Sequence, residues 1–272
     1  MPFAPTLALN NGVAIPQLGM GLWQISNADM PKVVGAALDA GYRLFDTAVV
    51  YGNEVSLGQA LKHAGVARNE IFVTTKLWND EQGYERTLRA FDESLQRLGL
   101  DYVDLYLIHW PQPAKDRYVE TWRALEKIYR AGKARAIGVS NFEPAQLERL
   151  LASGSIVPSV NQIELHPRLQ QAALCAFDRA HGIVTESWSP LARGDLGGPV
   201  IEAIARKHGK TPAQVILRWH IERGLIAIPR SAHPPRIREN MGIFDFALDA
   251  EDMAKIARLD TSRRIGPDPA TF

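Results

Sequence analysis

The chain has 272 residues, and its 31 basic side chains almost balance its 30 acidic ones. Because proteins that bind nucleic acids neutralise phosphates with clustered Lys and Arg, this balance argues against a nucleic-acid partner. No uninterrupted apolar run approaches the roughly 18 residues that cross a bilayer, and no basic residue precedes Lys32, as a signal peptide would require. We therefore expect a soluble, cytoplasmic protein with no membrane partner. A monomer is the expected oligomeric state.

Cys175 is the only cysteine, and it lies in a segment with a helical pattern. A lone cysteine cannot form an intramolecular disulfide or build a cysteine-based metal site. We expect a buried, unreactive thiol at this position and predict no metal centre.

The predicted elements begin with a β-hairpin. Residues 6–15 alternate in polarity around Asn10-Asn11-Gly12, and an Asn-Gly pair is typical of a tight hairpin turn. Short β-type runs then alternate with helical patterns such as Tyr84–Leu98, in which apolar side chains recur every three or four positions. Eight strands are predicted, near residues 18–22, 42–46, 71–76, 103–109, 134–140, 157–163, 182–188 and 225–229.

Regular alternation of strands and helices predicts a parallel sheet, which can be a closed barrel or an open, doubly wound sheet. An open sheet of the dinucleotide-binding type should carry G-x-G-x-x-G after its first strand. Gly19 and Gly21 begin such a pattern, but the third glycine is missing and no helical pattern follows at once. A barrel typically takes about 250 residues as one unit, which suits the length. We predict one α/β domain over residues 1–272, a (β/α)8 TIM barrel with an N-terminal β-hairpin closing the bottom.

Polar side chains recur where the apolar runs end. Asp46 follows YRLF, Lys76 follows IFVTT and His109 follows VDLYLI, while Tyr51 lies between the first two. Since the C-terminal ends of parallel barrel strands share one rim, these four side chains can converge on one pocket. We predict them to be the catalytic residues.

Each of these residue types suits a different part of a carbonyl reduction. An ammonium about 4 Å from a phenol, at an effective dielectric of about 20, favours the phenolate by about 4 kcal/mol, less the cost of desolvation. Lys76 could thus make Tyr51 a proton donor, with Asp46 holding the lysine. A neutral His109 could donate a hydrogen bond to the carbonyl oxygen. No metal cluster, reactive thiol or flavin signature supplies electrons, so we predict a nicotinamide hydride donor.

The later strands end in groups that suit a nicotinamide. Ser140 and Asn141 end the fifth predicted strand and Gln162 the sixth, which offers hydroxyl and amide partners for a carboxamide. Trp188 ends the seventh and offers a ring for stacking.

A phosphate site is predicted after the last strand. Arg230, Ser231 and Arg236 surround a helix start predicted at Pro234-Pro235. Because a helix N-terminus with two arginines binds phosphate well, we expect the adenosine 2′-phosphate of NADP at this place.

Seven ordered motifs give the chain a resemblance to the aldo-keto reductase family over essentially its whole length. GYRLFDTAVVYGNE resembles the family signature with the catalytic Asp and Tyr, and TKLWN and LYLIHWP resemble the segments with the catalytic Lys and His. GVSNF, NQIELHP, ESWSPLA and IPRSAHPPRIREN resemble the nicotinamide-contacting and phosphate-contacting segments. The resemblance implies reduction of aldehydes or ketones by NADPH, with hydride transfer to carbon and protonation of oxygen by the tyrosine.

The resemblance also implies roles for single residues. The implied cofactor contacts are Ser140, Asn141, Gln162, Trp188, Ser189, Leu191, Arg230, Ser231, Arg236, Glu239 and Asn240. The implied walls of the substrate pocket are Trp23, Val50, Trp78 and Trp110.

Two positions depart from the commoner family pattern. Arg230 stands where many members have Lys, which keeps the charge but changes the geometry of phosphate binding. Trp188 stands where many have Tyr, which resembles the bacterial 2,5-diketo-gluconate reductase branch. Keto-sugar acids such as 2,5-diketo-gluconate are therefore expected substrates beside small aldehydes and ketones. The alternative is a redox sensor or regulatory subunit that binds nicotinamide with little turnover.

Other aromatic and histidine side chains are expected to be structural. Trp122 and Trp219 occur at helical spacings and are predicted to lie in the core. His166, which precedes Pro167, is expected to satisfy a loop carbonyl. His233 lies in the phosphate segment, where contact with adenine and exposure to solvent are both open.

Overall fold

The computed structural model describes residues 3–272. It begins with two short antiparallel strands, β1 (Thr6–Ala8) and β2 (Ala14–Pro16), in which Leu7 pairs with Ile15. Gly12 in the connecting turn has a φ of 83°, a conformation that glycine adopts without steric cost. The hairpin lies where the Asn-Gly pair predicts it.

Within residues 3–272, eight parallel strands form the barrel. In chain order they are β3 (Met20–Gly21), β4 (Leu44–Asp46), β5 (Phe72–Leu77), β6 (Val103–Ile108), β7 (Ala134–Ser140), β8 (Val160–Glu164), β9 (Val184–Trp188) and β10 (Ile226–Ala227). Each strand is hydrogen-bonded to the next one along the chain. Leu18, just before β3, bridges to Ala227, and the Gly19 N–H donates to the Ala227 carbonyl at 2.9 Å, which joins the first strand to the last. The predicted barrel is confirmed.

The described part of the chain contains ten α-helices. They are α1 (Met30–Ala40), α2 (Glu54–His63), α3 (Tyr84–Leu98), α4 (Tyr118–Arg130), α5 (Pro144–Ser153), α6 (Ala172–Ala180), α7 (Gly198–His208), α8 (Pro212–Glu222), α9 (Pro234–Met241) and α10 (Ala250–Ala257). In α3, Phe91, Leu95 and Leu98 share one buried face because their spacing matches the helical period. Gly99, with a φ of 63°, ends this helix in the left-handed conformation typical of helix C-termini.

Two groups of apolar side chains hold the elements together. The inner group combines strand residues such as Leu44, Phe72 and Leu105 with Leu9 and Ile15 of the hairpin segment. Burial of each such side chain contributes about 1.5–3 kcal/mol, so the hairpin is firmly packed against one end of the barrel and closes it. The outer group lies between strands and helices and includes the predicted core residues Trp122 and Trp219, both 1% exposed.

Six of the eight predicted barrel strands are longer than the observed ones. The strand predicted over 157–163 begins only at Val160, because Pro158 has no N–H to offer to a ladder. The first and last barrel strands have two residues each, and Pro229 follows the last one closely. Residues 261–272 contain neither helix nor strand.

No helix among residues 3–272 is long and apolar enough to cross a membrane. Cys175 on α6 is a buried free thiol, and burial is the largest of the influences that raise its pKa. A thiol with a raised pKa forms little thiolate, which agrees with the unreactive side chain expected from the sequence.

Candidate active site

The C-terminal rim of the barrel brings the four predicted catalytic residues together. Asp46 is the last residue of β4, Lys76 lies one residue before the end of β5, and His109 directly follows β6. Tyr51 ends a short 3₁₀ turn that follows β4. Because β4, β5 and β6 are neighbours in the parallel sheet, their ends lie at one level and their polar residues share one site.

A buried ion pair lies at the centre of this group. Lys76 Nζ is 2.5 Å from Asp46 Oδ1 and 3.0 Å from the carbonyl oxygen of Thr47, and the lysine side chain has no exposed surface. Burial by itself lowers the pKa of Lys76, but the charges of Asp46 and Tyr51 and the hydrogen bond to Asp46 outweigh it and raise the pKa. Lys76 is therefore an ammonium at neutral pH.

Tyr51 lies beside this ion pair. Its hydroxyl is 3.5 Å from Lys76 Nζ, the outer limit of a hydrogen bond. Although part of the tyrosine is open to the cleft, desolvation raises the pKa of Tyr51, and the opposing effect of Lys76 does not offset it. On the sequence alone Lys76 is expected to outweigh burial, and the structure reverses that order. The phenol is thus protonated at neutral pH, as a proton donor must be.

His109 is surrounded by aromatic side chains. Its ring centre lies 5.8 Å from that of Tyr51 and 5.2 Å from that of Trp78, both edge-on. Nδ1 is buried without a partner in the described part of the chain, so Nε2 is the nitrogen left to reach a substrate. Burial, and then the charge of Lys76, hold the pKa of His109 well below its ordinary value. The imidazole is neutral and can donate a hydrogen bond to a carbonyl oxygen.

Gln162 is held by two carboxyl groups. Its Nε2 donates to Asp46 Oδ2 at 2.8 Å and to Glu186 Oε2 at 2.9 Å, and all three side chains are buried. Since the Asp46 carboxylate can only accept, the atom beside it must be the amide nitrogen, so this contact determines the orientation of the amide. Oε1 is left for the cleft, where it can accept a hydrogen bond from a carboxamide.

Glu186 is a residue that the sequence reasoning missed. It lies on β9 with no exposed surface, and its Oε1 has no hydrogen-bond partner within residues 3–272. Burial, and then the charge of Asp46, raise its pKa to about 8. The carboxyl group is therefore protonated at neutral pH. The motif ESWSPLA contains this glutamate, but no local sequence pattern distinguishes a glutamate inside a barrel from one on its surface.

Ser140, Asn141 and Trp188 form one hydrogen-bonded group. Asn141 Nδ2 donates to Ser140 Oγ and to the carbonyl oxygen of His109, both at 3.0 Å. Asn141 Oδ1 accepts from Trp188 Nε1 at 2.8 Å. Asn141 has a φ of 64°, which asparagine tolerates better than most residues. The edge of the indole ring is thus held, and its face can stack on a flat ligand.

A cavity of about 350 Å³ opens beside these residues. All four predicted substrate residues line it, namely Trp23, Val50, Trp78 and Trp110. Pro267 and Phe272 also line it and were not predicted. The ring of Phe272 lies 4.6 Å from that of Trp110. The sequence shows an aromatic residue in an irregular tail but does not indicate where the tail runs.

A second cavity, of about 770 Å³, adjoins the first and shares lining residues with it. The remaining predicted cofactor residues all line it, namely Ser189, Leu191, Arg230, Ser231, Arg236, Glu239 and Asn240. α9 begins at Pro234, as predicted, and His233 before it also lines the cavity. Arg230 and Arg236 are exposed and take part in none of the ion pairs within residues 3–272. Arg230 does donate to the carbonyl oxygen of Gln24 at 3.0 Å, but neither guanidinium has a carboxylate partner within residues 3–272. Two such groups beside a helix N-terminus fit a cofactor that carries phosphate.

Arg193 joins the two cavities and was also not predicted. It lines both of them, and its guanidinium lies 5.0 Å from the centre of the Trp23 ring, within the range of a cation–π contact. Its φ of 53° places it in a strained turn after β9.

His166 contacts a carboxylate rather than the loop carbonyl expected from the sequence. Its Nε2 lies 3.0 Å from Glu164 Oε1, and both side chains are buried. Residues two apart in an extended segment point to the same side, and the prediction overlooked this neighbour.

The match to a protein family decides what this chain is. The description of that family is "Aldo/keto reductase family", and its model matches residues 17–261. The chain belongs to the aldo/keto reductase family. This membership confirms the predicted reaction class and cofactor, an NADP-dependent oxidoreductase that acts on carbonyl groups. The roles of single residues in this aldo/keto reductase stay predictions.

Several proteins are similar to this aldo/keto reductase along their whole length. An aldo-keto reductase of Mycolicibacterium smegmatis is 53% identical over 270 residues, which cover 99% of this chain and 98% of the relative. The methylglyoxal reductase DkgA of Yersinia pestis is 50% identical over 275 residues, with coverage of 100% and 99%. The solved structure of a Gox0644 mutant in complex with NADPH has a TM-score of 0.95 and 47% identity, with coverage of 100% and 99%.

Proposed function

We propose that this aldo/keto reductase reduces aldehydes and ketones to alcohols with NADPH, and that Tyr51 supplies the proton. The observation that carries the proposal is a single cleft where the Tyr51 hydroxyl and the neutral His109 ring meet, backed by the buried Lys76–Asp46 pair. The adjoining cavity, which is lined by two arginines without carboxylate partners among residues 3–272, supports the choice of cofactor.

Tyr51 acts as the general acid. A bound nicotinamide supplies the hydride that goes to the carbonyl carbon. As negative charge develops on the carbonyl oxygen, the proton of the Tyr51 hydroxyl moves to that oxygen. Lys76, 3.5 Å away, stabilises the tyrosinate that remains, and Asp46 keeps the lysine charged and in place. His109 donates from Nε2 to the same oxygen and orients the substrate.

The proposed cofactor contacts follow the two cavities. Ser140, Asn141 and Gln162 present hydroxyl and amide groups to the carboxamide, and Trp188 presents its ring face. Ser189, Leu191, Arg230, Ser231, Glu239 and Asn240 hold the remainder of the cofactor, and Arg236 at α9 pairs with the 2′-phosphate. The NADPH complex of Gox0644 supports this cofactor.

Small aldehydes, ketones and keto-sugar acids are the proposed substrates. Trp23, Val50, Trp78 and Trp110 give the cleft an apolar, aromatic wall. The Yersinia pestis relative is named a methylglyoxal reductase, which supports small oxoaldehydes. Trp188 supports inclusion of 2,5-diketo-gluconate, because that position resembles the bacterial reductase branch. A monomeric state, a cytoplasmic location and the lack of nucleic-acid and membrane partners stay predictions from the sequence.

The test is NADPH oxidation by the purified protein with a panel of carbonyl compounds that includes methylglyoxal, simple aldehydes and 2,5-diketo-gluconate. We expect turnover on at least one class, and a loss in kcat of about 10²- to 10⁴-fold for Tyr51→Phe with NADPH affinity retained. Tyr42→Phe is the matched control, because the Tyr42 hydroxyl is buried elsewhere and has no hydrogen-bond partner within residues 3–272. Parental rates in Tyr51→Phe would contradict the general-acid role. Tight NADPH binding with slow turnover on every compound would instead favour the redox-sensor alternative.

A further inference from the structure

The segment after α10 runs along the rim of the barrel without regular secondary structure. The N–H groups of Thr261 and Arg263 both donate to the carbonyl oxygen of Arg168, at 3.1 and 3.0 Å. The segment then reaches the cleft, where Phe272 lies 4.6 Å from Trp110 and 6.4 Å from Trp78 between ring centres. We call residues 261–272 the tail.

Glu164 binds the tail at the point where it enters the cleft. This residue ends β8, and its side chain has no exposed surface. Oε1 accepts the N–H of Ile265 at 2.6 Å, and Oε2 accepts the N–H of Gly266 at 2.9 Å. Two neighbouring amides on the two oxygens of one carboxylate form a bidentate grip, which only an ionised acid can provide in full.

The charge state of Glu164 suits this contact. Burial by itself would raise the pKa of the carboxyl group. Hydrogen bonds from His166, Ile265 and Gly266 outweigh burial and lower the pKa below its ordinary value. Glu164 is therefore a carboxylate throughout the neutral range and accepts both tail amides.

Gly266 packs tightly on Trp188. A Cβ atom at this position would lie 2.3 Å from Trp188 Cη2 and 3.0 Å from Glu164 Oε2. Only glycine therefore allows the tail backbone to approach the indole ring and the carboxylate together.

Glu164 is the last polar attachment of the tail to the barrel within residues 3–272. Beyond Gly266, the hydrogen bonds of the tail are internal and involve Asp268. Pro267 and Phe272, which line the cleft, are therefore positioned by the grip on Ile265 and Gly266 together with the aromatic contacts of Phe272. Those contacts leave Phe272 40% exposed, so they give only part of the burial free energy of an aromatic side chain.

We propose that Glu164 is a positioning residue for substrate selectivity, which acts by holding the tail so that Phe272 forms one wall of the cleft. The inference rests on the proposed carbonyl reductase function and adds the class of substrate that the tail favours. A carbonyl compound with an aromatic or bulky apolar group contacts Phe272, whereas a compact one such as methylglyoxal reaches Tyr51 and His109 without that wall.

Two substrates with the same reacting group test this proposal. Phenylglyoxal and methylglyoxal differ only in a phenyl or methyl group on the oxoaldehyde, and the ratio of their kcat/KM values measures selectivity. Glu164→Gln keeps the size of the side chain, but its amide can accept only one of the two tail N–H groups. We expect the phenylglyoxal-to-methylglyoxal ratio to fall about fivefold, through KM for phenylglyoxal, because an aromatic contact is lost.

A double-mutant cycle distinguishes positioning from a general structural role. Phe272→Ala should lower the ratio by a similar factor, and Glu164→Gln should lower it no further in the Phe272→Ala background. An unchanged ratio in Glu164→Gln, or an equal further loss in the double variant, overturns the proposal. Glu143→Gln is the matched control, because Glu143 contacts the tail only through a long ion pair with Arg264, in which the nitrogen and oxygen atoms are 3.5 Å apart. The control should keep the parental ratio.

Hydrogen exchange tests the grip without any reaction. We expect the amides of residues 265–272 to exchange faster in Glu164→Gln than in the parental protein and in Glu143→Gln. Equal exchange in all three proteins overturns the proposal even if the enzyme is active. If the parental protein reduces neither substrate, the proposed function fails while this measurement still decides whether Glu164 holds the tail. Gly266→Ala is the second variant should Glu164→Gln not fold, and it should accelerate exchange because its Cβ displaces the tail from Trp188.

Discussion

Gln162 Nε2 lies 2.9 Å from Glu186 Oε2, and the same nitrogen lies 2.8 Å from Asp46 Oδ2. One amide thus connects the ion pair of Asp46 and Lys76 to a buried carboxyl group. Burial, and then the charge of Asp46, raise the pKa of that carboxyl group to about 8. Glu186 therefore keeps its proton at neutral pH and loses it when the pH rises slightly above neutral.

Glu186→Gln should change the dependence of kcat on pH. When Glu186 of the parental enzyme ionises near pH 8, its negative charge raises the pKa of Tyr51 further and makes the tyrosine a weaker acid. Reduction by the parental enzyme should slow as the pH rises through this range, and Glu186→Gln should stay flat because its amide never ionises. Saturating NADPH and methylglyoxal give kcat directly. Asp178 is a buried acid away from the cleft, so Asp178→Asn is the control and should show the same fall in kcat with pH as the parental enzyme. If Glu186→Gln shows that fall as well, Glu186 is not its source.

Arg236→Ala should weaken the binding of NADPH more than the binding of NADH. The exposed guanidinium in the first turn of α9 is proposed to pair with the 2′-phosphate, which NADH lacks. A charge-assisted hydrogen bond contributes roughly 1.5–3 kcal/mol, so the Kd for NADPH should rise by about tenfold or more and that for NADH should hardly change. Quenching of protein fluorescence gives both constants. Arg238→Ala, on the same helix but outside the cavity lining, should leave both unchanged, and an equal loss for both cofactors in Arg236→Ala would contradict the phosphate contact.

Asp178 should make the folded state less stable as the pH rises. It is fully buried on α6, and burial raises its pKa to about 7 despite hydrogen bonds from Thr185 and Asn161. Since an aspartate in the unfolded chain has a pKa of about 3.9, the folded state binds this proton more tightly. The stabilisation is complete below about pH 4 and is lost as the pH rises to about 7.

Urea unfolding at two pH values measures this effect. Between about pH 5 and about pH 8 the free energy of unfolding of the parental protein should fall by roughly 2–3 kcal/mol more than that of Asp178→Asn. The comparison cancels the contributions of the other titrating groups, because both proteins share them. An identical pH dependence in the two proteins would show that Asp178 keeps an ordinary pKa.

Replacement of two helical glycines by alanine should change the stability of the protein in opposite directions. A Cβ at Gly58 on α2 would lie 1.9 Å from the carbonyl oxygen of Leu98, where α2 packs on the end of α3. Gly58→Ala should therefore destabilise the protein by about 1–3 kcal/mol. A Cβ at Gly35 on α1 meets no atom within 4 Å apart from its own helix backbone and its two chain neighbours, and Gly35→Ala should stabilise the protein by about 0.5–1 kcal/mol. Thermal unfolding gives both values, and a shift of the same sign in both variants would contradict the packing described.

Local patterns explain what the sequence predicts well. The spacing of apolar residues in α3 predicts Tyr84–Leu98, the bounds that the structure has, because the helical period is a relation between near neighbours. A local pattern also identifies Asp46, Lys76 and His109, because each of them lies where an apolar run ends. Parallel topology then brings them to one rim without any knowledge of packing.

Distant contacts explain what the sequence could not show. Glu164 and Ile265 are 101 residues apart, and only the folded chain shows that one holds the other and thereby places Phe272 in the cleft. The same holds for Glu186, whose raised pKa depends on burial and on Asp46 from another strand.

The sequence alone determined the order of the elements, the barrel and the four side chains at its rim. These features follow from periodicity and from the residue types at strand ends. Tertiary structure decided which of these groups carries a proton and which residues beyond them complete the cleft. The physical reason is that desolvation and hydrogen bonding depend on atoms brought together from distant parts of the chain, and no local pattern encodes them.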